Sequence, residues 1–269
     1  MPNAKVYGAL IGDIEGSVYE FASSRAPYSF DLFNPRAKPT DDSIMTLAVL
    51  EICEKHLWND KQAICDTFRK WGHKYPSAGY GGRFYGWLLY SDTLLGYNSY
   101  GNGSAMRISP VGYYAKDENE VKVMSKAITE VSHNHPEGLK GAEVTALCVY
   151  YAYHHKSKEF LKNYAESQYR LYGSVEELNA SNHGHGDEIC QVSVPQALSA
   201  FFLTDSFESC LRTIVFAGGD CDTTGAIASA IAGAYYQEDE KSLVSFVKGF
   251  FKNDQEALDL FSKFDETIE

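Results

Sequence analysis

No apolar run in this 269-residue chain approaches the roughly 20 residues that cross a bilayer; the most apolar stretch, Ala226 to Tyr236, is about half of that. The opening MPNAKVYGALIGD lacks a basic segment followed by an unbroken apolar one, so no secretory signal peptide is expected. The six cysteines (53, 65, 148, 190, 210 and 221) include no C-x-x-C pair. That excludes a disulfide framework and points to reduced thiols in the cytoplasm. Positive charge is also scarce, with 24 Lys and Arg against 36 Asp and Glu and a formal charge of -12. A chain this acidic repels phosphate backbones at long range, which argues against a nucleic-acid coat or a binder of anionic membranes. A local site can still override the global field for a phosphate-bearing small molecule. Internal repeats and low-complexity tracts are absent. Hydrophobic residues make up 44% and charged residues 22%, the balance of an ordinary globular chain, and residues 1–269 are read as a single domain.

Alternating β-branched runs are nearly absent too, and helical periodicity dominates, so the expected fold is all-α. Helices are predicted over 4–21, 41–57, 60–74, 103–116, 118–132, 136–155, 157–167, 195–203, 206–217, 222–236, 239–251 and 254–265. Thr40 precedes an acidic first turn, as an N-cap should. Asp205-Ser206-Phe207-Glu208 has capping-box spacing. Pro136 and Pro195 stand where a first helical residue would, since a missing N–H costs nothing there. Two stretches break the pattern: 23–40, with three prolines, and 75–103, where glycines alternate with aromatics. Long loops of this kind in a compact domain are usually functional, and the aromatics argue that the second is ordered.

Four groups of residues could carry chemistry. In Gly8-Ala-Leu-Ile-Gly12-Asp13-Ile-Glu-Gly16-Ser17-Val-Tyr-Glu20, helical spacing puts Asp13, Gly16, Ser17 and Glu20 on one face, with Gly8 and Gly12 beside them. Each glycine inside a helix costs roughly 0.5–1 kcal/mol relative to alanine, so three in register imply close approach of a helix or a ligand. Thr40-Asp41-Asp42 is, alone, a cap with acids favoured by the helix dipole. Gly218-Gly219-Asp220-Cys221-Asp222-Thr223-Thr224-Gly225 places two carboxylates and a hydroxyl at the entrance of a helix striped with Gly225, Ser229 and Gly233. If both acid pairs converge, two like charges 4 Å apart cost about 4 kcal/mol at an effective dielectric near 20, so the cluster needs a cation. An all-oxygen donor set favours Mg²⁺ or Mn²⁺ over zinc or copper.

The fourth group joins Gly101-Asn102-Gly103-Ser104-Ala105-Met106-Arg107 with Ser132-His133-Asn134-His135. A glycine-rich loop opening a helix offers free N–H groups to phosphate. Arg107 reads either as a second anion contact or as a surface partner. His133 and His135, with His183, His185 and Asp187, would supply enough ligands for zinc. No H-E-x-x-H accompanies them, and the two pairs lie far apart in sequence. Cys221 is a poor nucleophile, because Asp220 and Asp222 beside it favour the thiol over the thiolate.

The segments GALIGDIEGSVYE, TDDS, YGNGSAMRISPVG, SHNHPEGLKGAEVTA and VPQALSAFFLTDSFESCLRTIVFAGGDCDTTGAIASAIAGAYY resemble the ADP-ribosylglycohydrolases, in the family's order and over about residues 5 to 236. The resemblance implies a compact all-α domain with two Mg²⁺ or Mn²⁺ ions at the bottom of a cleft. It assigns Thr40, Asp41 and Asp42 to one ligand group and Asp220, Asp222 and Thr223 to the other, with Asp222 bridging. Glu20 matches a glutamate above the metals, and Asp13, one step along the same face, orients water or neighbouring groups. Asn102, Gly103 and Ser104, with Met106 of the same motif, match a loop on the diphosphate and distal ribose, and His133 a histidine near that ribose. Gln237 departs from the glycine that many relatives carry, and the segment 183–187 has no clear counterpart.

The implied activity is metal-dependent hydrolysis of the glycosidic bond between ADP-ribose and an acceptor, with Glu20 handling the proton. The acceptor is a modified protein side chain or a related ADP-ribosyl ester; modified bases also share the ADP-ribose half. A non-catalytic ADP-ribose-binding module on the same fold is the alternative, and a zinc hydrolase built on the histidine pairs is a third reading. A monomer is expected.

Overall fold

A computed structural model describes residues 7–20, 27–182, 187–238 and 241–267. The described residues hold helices α1 (Tyr7–Gly16), α2 (Asp41–Glu54), α3 (Lys61–Lys74), α4 (Gly82–Tyr90), α5 (Gly103–Met106), α6 (Val111–Tyr114), α7 (Glu118–Glu130) and α8 (Pro136–Tyr153). They continue with α9 (Lys158–Gln168), α10 (Val175–Ala180), α11 (Cys190–Phe202), α12 (Phe207–Ala217), α13 (Cys221–Tyr236), α14 (Lys241–Phe250) and α15 (Gln255–Thr267). Among these residues there is no strand, only one antiparallel bridge between Gly101 and Ile189. The fold is all-α, and no described helix is long and apolar enough to cross a membrane.

Helix α13 is the axis. Its residues from Cys221 to Ala234 are all buried, with α1, α8, α11 and α12 packed around it. The glycines of α1 account for the closest of these contacts. A Cβ on Gly8, Gly12 or Gly16 would fall 2.2, 2.1 or 2.3 Å from the carbonyl oxygens of Ser229, Gly225 and Cys221 respectively. The two helices therefore run antiparallel, backbone to backbone, and the cost of three helical glycines is offset by that contact. This packing brings the C-terminal end of α1 beside the entrance of α13.

Several expected elements need correction. The helix expected to run to residue 21 ends at Gly16, and the chain turns through 17–20. The one expected over 103–116 is two single-turn helices, because Pro110 has no N–H to continue a ladder and disfavours helical backbone at Ser109. Pro195 does not open its helix: α11 starts at Cys190 and holds Pro195 inside. Its entry is set by tertiary pairing, with Cys190 N donating to Tyr100 O (3.0 Å) and Asn102 N to Glu188 O (3.2 Å). The capping box of α12 joins Ser206 to Ser209, not Asp205 to Glu208. Helices α4 and α10 have no counterpart among the predicted ones. The first repeats Phe84, Trp87 and Leu88 at i, i+3, i+4, and the second starts at Ser174, whose hydroxyl accepts from Glu177 N. Gln237 caps α13 in the left-handed region (φ 50°), where a glycine would sit without strain.

Candidate metal centre and binding cavity

Two helix entrances meet at the end of α1. Thr40 is the N-cap of α2, as its sequence predicts, but the principal cap comes from another helix. Asp13, fully buried in α1, accepts from Thr40 N (2.9 Å), Thr40 Oγ1 (2.7 Å) and Ser43 N (3.0 Å). Those bonds fix where α2 begins and therefore where Asp41 and Asp42 sit. At the other entrance, Gly218 and Gly219 carry the chain into α13 with φ of 79° and 75°, a conformation that glycine adopts without a Cβ clash. Asp220 follows, its Oδ2 accepting from Asn102 Nδ2 (2.5 Å), while Asp222 Oδ1 accepts from Thr223 N (2.8 Å). Thr223 Oγ1 reaches Asp42 Oδ2 (3.3 Å), joining the two entrances.

The carboxylates thus converge across some 180 residues of sequence. Two groups offer donor atoms within 4.8 Å of one another: Asp13, Asp42 and Asp222, and Glu20, Asp220 and Asp222. Asp222 belongs to both. Among the described residues none of the five aspartates has a Lys or Arg in ion-pair range. Burial pushes Asp13, Asp42, Asp220 and Asp222 above the ordinary carboxylate range, and mutual repulsion adds to the rise at Asp42 and Asp222. Asp41 is pushed up to about 8, by burial and then by Asp13. Glu20, at the rim, rises through partial burial and the charge of Asp220. One oxygen is orphaned outright: Asp42 Oδ1 is buried with no hydrogen-bond partner. An unpartnered carboxylate oxygen inside an uncompensated acidic cluster is the donor arrangement that a hard divalent cation fits.

Above this floor opens a cavity of about 410 Å³, within the range of small-molecule sites. Glu20, Asp41, Asp42, Asp220, Asp222 and Thr223 line it, together with Asn102, Gly103, Met106 and His133. Asp13, Thr40 and Ser104 lie behind these walls. Ser104 is fully buried, with its hydroxyl 2.9 Å from Gly138 O and 3.2 Å from Cys190 Sγ, so it anchors the loop to α8 and α11. Asn102 spends its amide on Asp220 and on Ser193 Oγ (2.8 Å), tying the loop to the acidic floor. Burial first, and the guanidinium groups of Arg107 and Arg83 second, hold His133 well below its ordinary value.

Arg107 is no surface partner. It is 0% exposed, sits 4.4 Å over the Phe68 ring and 5.0 Å over Phe84, and lines the cavity. The segment 75–103, flagged only by its glycines and aromatics, supplies Gly79, Gly81, Gly82, Arg83, Phe84, Tyr97 and Ser99 to the wall, and Glu188 completes it. Phe84 and Tyr97 belong to the aromatics of that stretch, whereas Arg83, Ser99 and Glu188 carry no individual sequence signal. His183 and His185 lie outside the described residues, and the converging donor groups among the described residues contain only carboxylates. Cys221 is fully buried with Sγ 3.3 Å from Gly16 O, and burial pushes its thiol up. It is packing, not a nucleophile.

Comparison with known proteins agrees with this architecture. Mouse ADP-ribosylhydrolase ARH3 is 25% identical over 97% of this chain and 90% of the relative. The ADP-ribosyl-[dinitrogen reductase] glycohydrolase of Rhodospirillum rubrum is 28% identical over 87% of the chain and 84% of the relative. A solved ADP-ribosylglycohydrolase-related protein complex shares the fold, with a TM-score of 0.68 at 22% identity over 92% of this chain and 95% of that one. The family description ADP-ribosylglycohydrolase matches residues 4–240, which is most of the chain and all of the site, so this protein belongs to the ADP-ribosylglycohydrolase family.

Proposed function

We propose that the chain is a metal-dependent hydrolase that cleaves the glycosidic bond between ADP-ribose and an acceptor and releases ADP-ribose. The acceptor is a modified protein side chain or a related ADP-ribosyl ester. The observation that carries the reading is the pair of carboxylate groups sharing Asp222, with Asp42 Oδ1 unpartnered, at the floor of a cavity of about 410 Å³. Both relatives named above act, by name, on ADP-ribosyl groups. Thr40, Asp41, Asp42, Asp220, Asp222 and Thr223 would hold two Mg²⁺ or Mn²⁺ ions, and Asp13 positions Thr40 and Asp42 by capping α2.

Bound divalent cations supply Lewis-acid polarisation of hydroxyl groups and of a water near the anomeric carbon. The remaining chemistry belongs to the chain. The carboxylates around the floor stabilise oxocarbenium character as the leaving group departs. Glu20 stands at the rim, and its raised affinity for a proton suits a group that gives one to the leaving atom or takes one from water. Asn102, Gly103, Met106 and His133, which line the same cavity, face the ADP-ribose moiety, while Ser104 holds their loop in place.

The test is release of ADP-ribose from ADP-ribosyl-arginine and ADP-ribosyl-serine peptides in Mg²⁺, Mn²⁺ or EDTA. Release that requires metal is expected. ADP-ribose binding without turnover on any acceptor would instead identify a non-catalytic ADP-ribose-binding module.

A further inference from the structure

Arg107 raises a question that the metal chemistry does not answer. A guanidinium stays charged at neutral pH, and burying it without a counter-ion is costly. Yet Arg107 is 0% exposed and forms no ion pair among the described residues. Its Nε and Nη1 have no hydrogen-bond partner, and the cation rests on the faces of Phe68 and Phe84. Its polar contacts run through Nη2, 2.8 Å from Ser132 Oγ and 3.5 Å from His133 Nδ1. Ser132, itself 0% exposed, has its Oγ 2.9 Å from His133 Nδ1.

The direction of this relay follows from donor counting. A guanidinium donates and never accepts. Ser132 Oγ must therefore accept from Arg107, and its single hydrogen is left with one acceptor within reach, His133 Nδ1; an Nδ1–H ring would leave that buried hydrogen without a partner. The approach of Nη2 to Nδ1, 3.5 Å, matches a lone pair on Nδ1. The opposite ring nitrogen faces the glycine loop: Nε2 lies 3.3 Å from where a Cβ on Gly103 would stand and 3.6 Å from one on Gly101. Both glycines and His133 line the cavity.

We propose that Arg107 and Ser132 are positioning residues that fix the ring proton of His133 on Nε2. His133 then presents a hydrogen-bond donor into the cavity at the Gly101–Gly103 wall and does not serve there as a base. The neighbours that face the ring agree with this. Arg107 is a buried cation and Arg83 an exposed one nearby, and Phe84 and Tyr97 enclose the ring with centroids 5.9 Å away each, so protonating the ring would add a second positive charge to the buried space. That Nε2–H meets an oxygen of ADP-ribose rests on the proposed function; the tautomer itself does not.

The experiment is long-range ¹H–¹⁵N correlation of the histidine rings in the full-length protein, with His133→Gln to assign the signal. Wild type is expected to show the Nε2–H tautomer. Ser132→Ala should shift the ring towards a mixture of tautomers, and Ser132→Thr, which keeps the hydroxyl, should restore it. An Nδ1–H ring in wild type, or a spectrum unchanged in Ser132→Ala, would overturn the proposal. Calorimetry then separates the two readings. Ser132→Ala should weaken ADP-ribose binding about three- to tenfold, the worth of one modest hydrogen bond, with Mg²⁺ affinity unchanged. Equal ADP-ribose affinity in wild type and Ser132→Ala would remove the donor role. If wild type shows the Nε2–H ring but no ADP-ribose affinity, the function reading fails while the relay stands.

Discussion

Two clusters of carboxylates in this molecule have opposite fates. At the cavity floor, Asp41, Asp42, Asp220 and Asp222 face one another without a Lys or Arg among the described residues in ion-pair range, and burial raises all four. Between α3 and α15, Glu51, Asp254 and Glu256 are met by cations. Lys55 donates to Glu51 (2.7 Å), Lys74 to Asp254 (2.6 Å), and Lys70 to Glu256 (2.5 Å) and to Glu51, where Trp71 Nε1 adds a bond of 2.6 Å. Burial pushes these three up as well, but the hydrogen bonds and positive charges outweigh it and hold them below their ordinary values. The same residue type is destabilised in one place and stabilised in the other. What differs is whether the described residues supply positive charge, as they do for Glu51, Asp254 and Glu256 and do not at the floor.

The largest effect should come from removing the acid shared by both donor groups. Asp222→Asn is expected to abolish metal-dependent turnover and to weaken divalent-cation binding in calorimetry. Two full equivalents of metal bound by this variant would show that the ligand assignment is wrong. Next, Glu20→Gln should lower kcat by about 10²–10⁴-fold, the usual worth of an acid–base group, while ADP-ribose and metal still bind. Wild-type turnover would take Glu20 out of the chemistry.

The third prediction concerns pH. A carboxyl whose folded value is raised binds more protons folded than unfolded, so its folding becomes less favourable as pH climbs from the ordinary carboxylate range through the raised value. At the floor that window extends to about 8 at Asp41. Metal-free protein should therefore lose melting temperature between pH 5.5 and 8. Mg²⁺ or Mn²⁺ should restore more at pH 8 than at pH 5.5, and a cation at 100 times its Kd adds about 2.7 kcal/mol per site. A metal-induced shift that does not grow with pH would sink the argument.

The compensated cluster has the reverse sign. Glu51, held low in the fold, contributes stability above the unfolded carboxylate value, and that contribution disappears as pH falls through the folded one. Its lysines are partly exposed, which discounts the pair energies. Glu51→Gln should cost only about 1 kcal/mol by chemical denaturation, with no change in metal affinity. A change in metal affinity would mean that the two clusters are coupled.

Much of the floor could be read from residue types alone. Thr40-Asp41-Asp42 and Asp220-Cys221-Asp222-Thr223 announce helix entrances through capping chemistry, and their lack of local cations is visible in the string. The glycines at 8, 12 and 16 signalled a close backbone neighbour without naming it. Arg107 was harder, because an arginine in a polar loop gives no sign that its partners are the rings of Phe68 and Phe84. Helix α4 escaped notice because its glycines outweigh a short apolar stripe, and the entry of α11 because it depends on Tyr100 and Asn102, about 90 residues earlier.

Local chemistry, then, was determined by the sequence: helical periodicity, caps, a chain of one predominant charge sign and the carboxylates gathered at two helix entrances. These are interactions between residues a turn or two apart, and their patterns survive in a linear string. The tertiary structure decided which entrances meet, that Asp13 caps α2 from another helix, and that His133 is held by Arg107 and Ser132. Those outcomes follow from α1 lying backbone to backbone against α13, a contact whose partner is set by packing the whole domain and not by any neighbour in sequence.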